Sequence, residues 1–459
     1  LEEDRSQLAR VPASCRMVAS AKIVPTPVDS ASTTAGSAST TVGSAAMVPP
    51  APPSSLRLEG AGEEKVPSDL KVPAEEEYIP LELDAHGGLR GVLSVHIAVF
   101  HFLSETGWKG DLLGEASVTV FILLTGFTLA AVYGRKQGLA KKKFYRARLA
   151  RVAPLYYVTQ FGSIPLYYVM RPYSVPTTTV LTIRIIVNSL FLCVFDGGLF
   201  SKYTQPFNGP AWTICTFVAF WLSFPYVLPR AQKWTTEQLF SGFIKAYWLQ
   251  AFVYISSYVV INDLAGSNFD CIQLAYAHPL TRFPVFLAGV AAGVWRSRLK
   301  PSDVVHWPKW FTWITPCKRF SNARRAGDGA AWAQLADSSA GLWFLAHVGV
   351  LVLSLFEIGD INTNNRSVLT RRDLFTPLSA FVQFTCLIAL TLDTARESRL
   401  SAFCNRLDMQ YLGKISMALY LCHVPIYRYS YPILGRRKGD MPISYIFIAL
   451  SSAFFTAIL

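Results

Sequence analysis

Charge is what this chain of 459 residues is short of. Asp, Glu, Lys and Arg make up only 16% of it, against about 25% in an ordinary soluble domain. Acids are scarcer than bases, 30 against 43, leaving a net charge of +13. Such a surplus raises nucleic acid as a partner. The Lys and Arg cluster in short runs between apolar segments, however, which is the pattern that encodes membrane topology, and no nucleic-acid partner is expected. Paired cysteines are missing too. Cys15, Cys193, Cys215, Cys271, Cys317, Cys386, Cys404 and Cys422 form no CxxC, and at least four fall in apolar segments, so they read as small buried hydrophobes and no metal site is expected. No Met opens the chain and no apolar core of a signal peptide follows Leu1. Nor is there an internal repeat, or the apolar–polar alternation of barrel strands.

What is abundant is apolar surface: 51% of residues are hydrophobic and 13% aromatic. Residues 1–80 stand apart, rich in Ser, Thr, Ala, Pro and Val, with the low-complexity run STTAGSASTTVGSAAMVPPAPPSS. A tail of that composition buries too little to offset its chain entropy and is expected to be disordered. From Leu83 onward, apolar segments recur at 88–106, 115–134, 152–170, 180–195, 211–228, 241–262, 277–296, 339–357, 375–393, 411–429 and 442–459. Their lengths suit a bilayer core about 30 Å thick, and helix is the form that satisfies its own backbone there. The expectation is an all-α polytopic membrane domain over 83–459. The last segment runs to the final residue, so a truncation is expected there.

Basic runs set the orientation. Residues 135–151 carry Arg135, Lys136, Lys141, Lys142, Lys143, Arg146, Arg148 and Arg151 with no acid, which places this stretch and the N-terminal tail on the cytoplasmic side. The stretch 297–337 is basic as well, yet five segments separate the two. The segment 180–195 is short and contains Arg184 and Asn188. It is expected to be re-entrant or packed inside, leaving about ten full spans.

Ionisable residues inside apolar spans are costly and mark function. Arg90 and His101 lie eleven residues apart, about three helical turns, so they share a face, with His101 about 16 Å deeper. A neutral imidazole can take and return a proton near pH 7. A guanidinium at the membrane's edge can hold an anion by paired hydrogen bonds, or simply reach to the interface. Arg148 and Arg151 are three apart and would share a helix face, an arrangement that suits phosphates. His96, five residues before His101, points elsewhere and reads as structural. His278 and Arg282, one turn apart, read as a satisfied helix end. His347, Glu357 and Asp393 receive no assignment.

Five blocks together resemble the acyltransferase 3 family of multi-pass membrane O-acyltransferases. GLRGVLSVHIAVFHF is similar to its first helix, with Arg90 and His101 in the matching places. SVTVFILLTGF resembles its second helix at Thr125, Gly126 and Phe127. RARLARVAPLYY matches an Arg-x-x-Arg element at Arg148, Arg151 and Pro154. GPAWTICTFVAFWLSFP resembles a Pro-x-Trp-Ser segment through Trp212. LGKISMALYLCHVPI resembles a late helix at Gly413, Ser416, Tyr420, Leu421 and His423.

The resemblance implies transfer of an acyl group, often acetyl, from coenzyme A to a hydroxyl of a carbohydrate, glycolipid or lipid. The acyl-CoA is a co-substrate and no bound cofactor is implied. It makes Arg90 and His101 the catalytic pair and turns Arg148 and Arg151 to the donor. Trp212, Asn208, Thr125, Gly126 and His423 become acceptor-site or structural candidates. The chain departs from the family at Asn208 and Thr213, where Ser is common, at Thr119, where bacterial members often carry Asp, and at Phe217, where many have Glu; the last change bears on acceptor chemistry. Two rivals stand beside the enzyme: a transporter or channel whose path is lined by the buried Arg and His, and a family member that has lost activity.

Overall fold

The computed structural model describes residues 78–106, 112–166, 176–196, 200–264, 273–305, 325–356, 361–363, 366–369, 371–434 and 451–452. The tail expected over 1–80 and the span expected over 442–459 lie almost wholly outside them. The architecture is helical: α1 (Asp84–Glu105), α2 (Gly114–Tyr133), α3 (Lys141–Gly162), α4 (Thr178–Ser189), the short α5 (Ser201–Thr204), α6 (Trp212–Gln232), α7 (Thr236–Leu264), α8 (Pro279–Arg298), α9 (Gly329–Leu355), α10 (Arg371–Leu392), α11 (Arg399–Cys404) and α12 (Leu407–Leu434). A 3₁₀ turn at Gly209–Ala211 leads into α6, and a π turn at Gln273–Ala277 leads into α8. The departure from all-α is a small antiparallel hairpin, β1 (Ile361–Thr363) with β2 (Arg366–Leu369).

Among the described residues, four helical stretches are long and apolar enough to cross a membrane: Asp84–Ser104, Gly114–Tyr133, Gly209–Gln232 and Gly329–Leu355. They differ in placement. In α2, 72% of the apolar window is buried inside the protein; in α9 the share is 17%. A helix apolar all round belongs in a core, and α2 sits there. α9 turns Phe344, Leu345 and Leu355 outward as a lipid-facing surface does.

Two glycine seams draw the helices together. Gly126 of α2 lies against the Phe286 carbonyl of α8, and Gly289 and Gly293 of α8 lie against the α2 backbone at Leu123 and Phe127; a Cβ at any of these points would collide with backbone. Small residues four apart allow such close approach in membranes. The second seam joins α1 to α12, where Gly413 abuts the backbone of Gly87 and the Gln410 side chain donates to the Asp84 carbonyl at 2.5 Å. Contacts advance together along both helices, so α1 and α12 run in the same direction.

The region around 180–195 is as short as expected. α4 has 12 residues, about 18 Å at 1.5 Å per residue, and cannot span the core. Its polar side chains turn inward: Arg184 donates to the Gln205 carbonyl through Nε at 3.1 Å and Nη2 at 2.8 Å, and Gln160 Nε2 donates to Asn188 Oδ1 at 2.6 Å. Ile186 and Leu190 face outward. The basic stretch 135–151 is helical from Lys141 onward. The span expected over 152–170 therefore begins earlier, and Arg146, Arg148 and Arg151 are helix residues.

Candidate active site

The parallel run of α1 and α12 brings two histidines together. His101 Nδ1 lies 2.9 Å from His423 Nε2, with ring centroids 5.0 Å apart. His423 is buried, and its Nδ1 is 3.2 Å from the Leu419 carbonyl. A carbonyl only accepts, so Nδ1 of His423 carries the proton. In a neutral ring Nε2 is then an acceptor, and the proton of His101 sits on Nδ1. This chain of two hydrogen bonds leaves the lone pair of His101 on Nε2.

His101 lines a cavity of about 260 Å³ with Glu115, Trp212, Tyr276, Tyr427 and Arg428. A second cavity, about 130 Å³, is lined by Arg90, Arg148, Arg151 and Lys414, together with Thr125 and Phe217. Val118 and Tyr420 line both. The sequence pairing of Arg90 with His101 therefore resolves into adjacent chambers with a common wall. A third cavity, about 210 Å³, extends from Arg90, Arg148 and Arg151 to His86.

Charge separates the first two chambers. Arg90, Arg148, Arg151 and Lys414 have no ion-pair partner among the described residues. Arg148 rests over the Phe144 ring at 5.5 Å. Helical spacing carries Arg148 and Arg151 onto one face of α3, while Arg90 comes from α1 and Lys414 from α12. Arg90 and Arg148 are half-buried, and Arg151 and Lys414 are exposed; four cations converging with no carboxylate among the described residues of the lining suit a polyanion such as a diphosphate.

The other sequence candidates divide. Trp212 lines the histidine cavity and packs on Tyr276, centroids 4.8 Å apart. Thr125 lines the cationic cavity and donates its hydroxyl to the Phe121 carbonyl at 2.7 Å. Gly126 belongs to the α2–α8 seam. Asn208 is a brace: its Nδ2 donates to the Leu421 carbonyl at 2.8 Å, and its backbone N–H donates to Gln160 Oε1 at 2.6 Å. His96 is bound 2.7 Å from both Ser117 Oγ and the Leu112 carbonyl, away from the site. His278 caps α8, its Nδ1 accepting from the Leu280 N–H at 3.2 Å. Arg282 is buried and ties Tyr276 to α2, donating to the Tyr276 carbonyl at 2.6 Å and to Thr119 Oγ1 at 3.2 Å.

Phe217 stands apart from Trp212. It faces the cationic cavity, so the family's Glu at that position would stand among the four cations. The histidine cavity has a carboxylate of its own, Glu115 from α2. Sequence reasoning missed Glu115, Lys414, Arg428 and His86. A signal existed for Lys414 and Arg428: both are cations within a long apolar segment, 14 residues apart, with Lys414 next to the motif residue Gly413.

Two helices thus contribute an imidazole pair beside a chamber lined by four cations. The family model for the acyltransferase domain of the acyltransferase 3 family matches residues 83–459, and the chain belongs to that family. It is an acyltransferase with the character of an integral membrane protein. Comparison with curated proteins and with solved structures gives no match.

Proposed function

We propose that this protein moves an acyl group, acetyl in the simplest case, from acyl-CoA to a hydroxyl of a carbohydrate, glycolipid or lipid acceptor. One observation carries the reading: a chamber lined by four cations, without an ion-pair partner among the described residues, shares the wall of Val118 and Tyr420 with the chamber of His101. The phosphates of the donor bind to Arg90, Arg148, Arg151 and Lys414, and the thioester reaches the shared wall. The acceptor occupies the histidine cavity. His101 Nε2 takes the proton of its hydroxyl as the oxygen attacks the thioester carbon. The carbon–sulfur bond then breaks, and the leaving thiolate recovers the proton from His101. An acyl group held transiently on Nε2 fits the same tautomer.

The topology proposed with this function has about ten spans, α4 packed inside without crossing, and the basic start of α3 on the cytoplasmic side, where acyl-CoA is supplied. The test is incubation of membranes holding the protein with radiolabelled acetyl-CoA, beside the same membranes with His101→Ala. Label passing to an acceptor in the native sample and absent in the folded variant supports the reading. Equal labelling in both would end it. A transporter is separated by flux into vesicles without any acyl donor.

A further inference from the structure

The histidine cavity holds two charged side chains that the transfer step above does not use. Glu115 sits in the first turn of α2, and Arg428 lies on α12, one turn beyond Val424 on the face that also presents Tyr420. Both are half-buried. Arg428 has no hydrogen bond or ion pair among the described residues.

The surroundings of Glu115 hold its side chain in place. A helix N-terminus favours negative charge. The Tyr254 hydroxyl donates to Glu115 Oε2 at 3.3 Å. Behind that tyrosine lies the buried Arg282, its guanidinium 4.9 Å from the Tyr254 ring and 4.4 Å from the Tyr276 ring, with Nη2 unpaired. Thr119, which takes a hydrogen bond from Arg282, donates back to the Glu115 carbonyl at 3.2 Å. Arg282 thus fixes the first turn of α2 and the wall residue Tyr276 in one arrangement without itself lining the cavity. Five aromatic side chains share the lining with aliphatic ones: Phe100, Trp212, Tyr276, Tyr420 and Tyr427.

We infer that Glu115 and Arg428 bind and orient the acceptor, which is a hydroxyl-rich ring rather than a plain long-chain alcohol. The carboxylate accepts from one ring hydroxyl and the guanidinium donates to another, while the aromatic side chains cover the ring's C–H faces. Held at two polar points, the ring turns a third hydroxyl toward His101 Nε2. This rests on the acyl-transfer reading of the same site and adds the two residues that select the acceptor.

The test uses the purified full chain in lipid nanodiscs with radiolabelled acetyl-CoA. The acceptor probes are methyl glucopyranoside and decanol, compared for native protein, Glu115→Gln and Arg428→Met. Acceptor-independent release of CoA is measured alongside. The expected result is transfer to the glycoside in preference to decanol, with its KM raised about tenfold or more in each variant, the loss that attends a hydrogen bond to a charged group. Acetyl-CoA KM and acceptor-independent release stay at the native level, which a merely structural role would not leave in place. Preference for decanol, unchanged glycoside KM in both variants, or a parallel fall in CoA release would overturn the inference while leaving acyl transfer intact. Native protein that transfers label to neither probe and releases no CoA would overturn both.

Discussion

Replacing His423 by Phe tests the hydrogen-bond chain that gives His101 its basic nitrogen. The ring shape is nearly kept, but the acceptor 2.9 Å from His101 Nδ1 is lost. Two outcomes then compete inside the protein. His101 can keep its proton on Nδ1 as a buried donor without its partner, which costs about 1–3 kcal/mol. Or the proton moves to Nε2, and the nitrogen facing the acceptor ceases to be a base. Either way the productive tautomer is depleted. At about 1.4 kcal/mol per factor of ten, kcat falls by about 10- to 100-fold. The KM for acyl-CoA stays at its native value, because Arg90, Arg148, Arg151 and Lys414 lie in the other chamber. His423→Gln, whose side-chain oxygen can accept from Nδ1, recovers part of the rate. In a His101→Ala background, His423→Phe adds no further loss, since residues that act as a unit are not additive. The assay is steady-state transfer of labelled acetyl in nanodiscs, with thermal unfolding as the control for folding. A folded His423→Phe protein within twofold of native kcat would refute the tautomer argument.

The cationic chamber gives its own expectations. Arg148→Ala and Arg151→Ala each raise the KM for acyl-CoA by about tenfold, as expected for removal of a hydrogen bond to a charged group, and the double variant shows a weaker salt dependence of KM; an unchanged KM would remove the phosphates from this chamber. Phe217→Glu places a carboxylate among the four cations, and acyl-CoA affinity falls by a similar factor, read by titration with CoA. Tyr420→Ala opens the wall between the chambers, so thioester hydrolysis without acceptor rises relative to transfer, seen as CoA release in excess of labelled product. Gly413→Leu forces α1 and α12 apart at the Gly87 backbone, and the protein loses thermal stability by about 2 kcal/mol or more, an overpacking cost, with activity falling in step.

The local chemistry of α1 was legible because it is local: three helical turns fix the common face of Arg90 and His101 whatever surrounds them. Apolar runs marked α2 and α9 for the same reason. What the sequence did not show depends on pairing between distant helices. The partner of His101 is His423, 322 residues away, and nothing in spacing joins them before α1 and α12 are known to run parallel. The basic stretch 135–151 read as a loop because positive-inside bias and an amphipathic helix start share a composition; the chain folds Lys141 onward into α3 and so turns Arg148 and Arg151 toward a chamber. Phe217 was weighed against acceptor chemistry because its block contains Trp212. The helix sends those two side chains, five residues and about 140° apart, to different cavities. Glu115 escaped notice since a carboxylate in the first turn of a helix is ordinary end chemistry.

Partition by charge also bears on what can cross the protein. A solute path for an anion would continue the cationic lining from one side to the other. Here the four cations stop at Val118 and Tyr420, and beyond them stands a chamber with Glu115, the Arg428 guanidinium and a lining of aromatic and aliphatic side chains. A nucleotide carrying several phosphates is well matched to the first chamber and poorly matched to the second, whereas an acyl group of a few atoms is indifferent to either. The group transfer proposed above would ask only that this small neutral piece pass the wall, with a charged carrier on one side and a hydroxyl acceptor on the other. In the proposed reaction His101, carried by α1 and held in tautomer by α12, would stand where the new bond forms, and the cations would face the carrier that leaves.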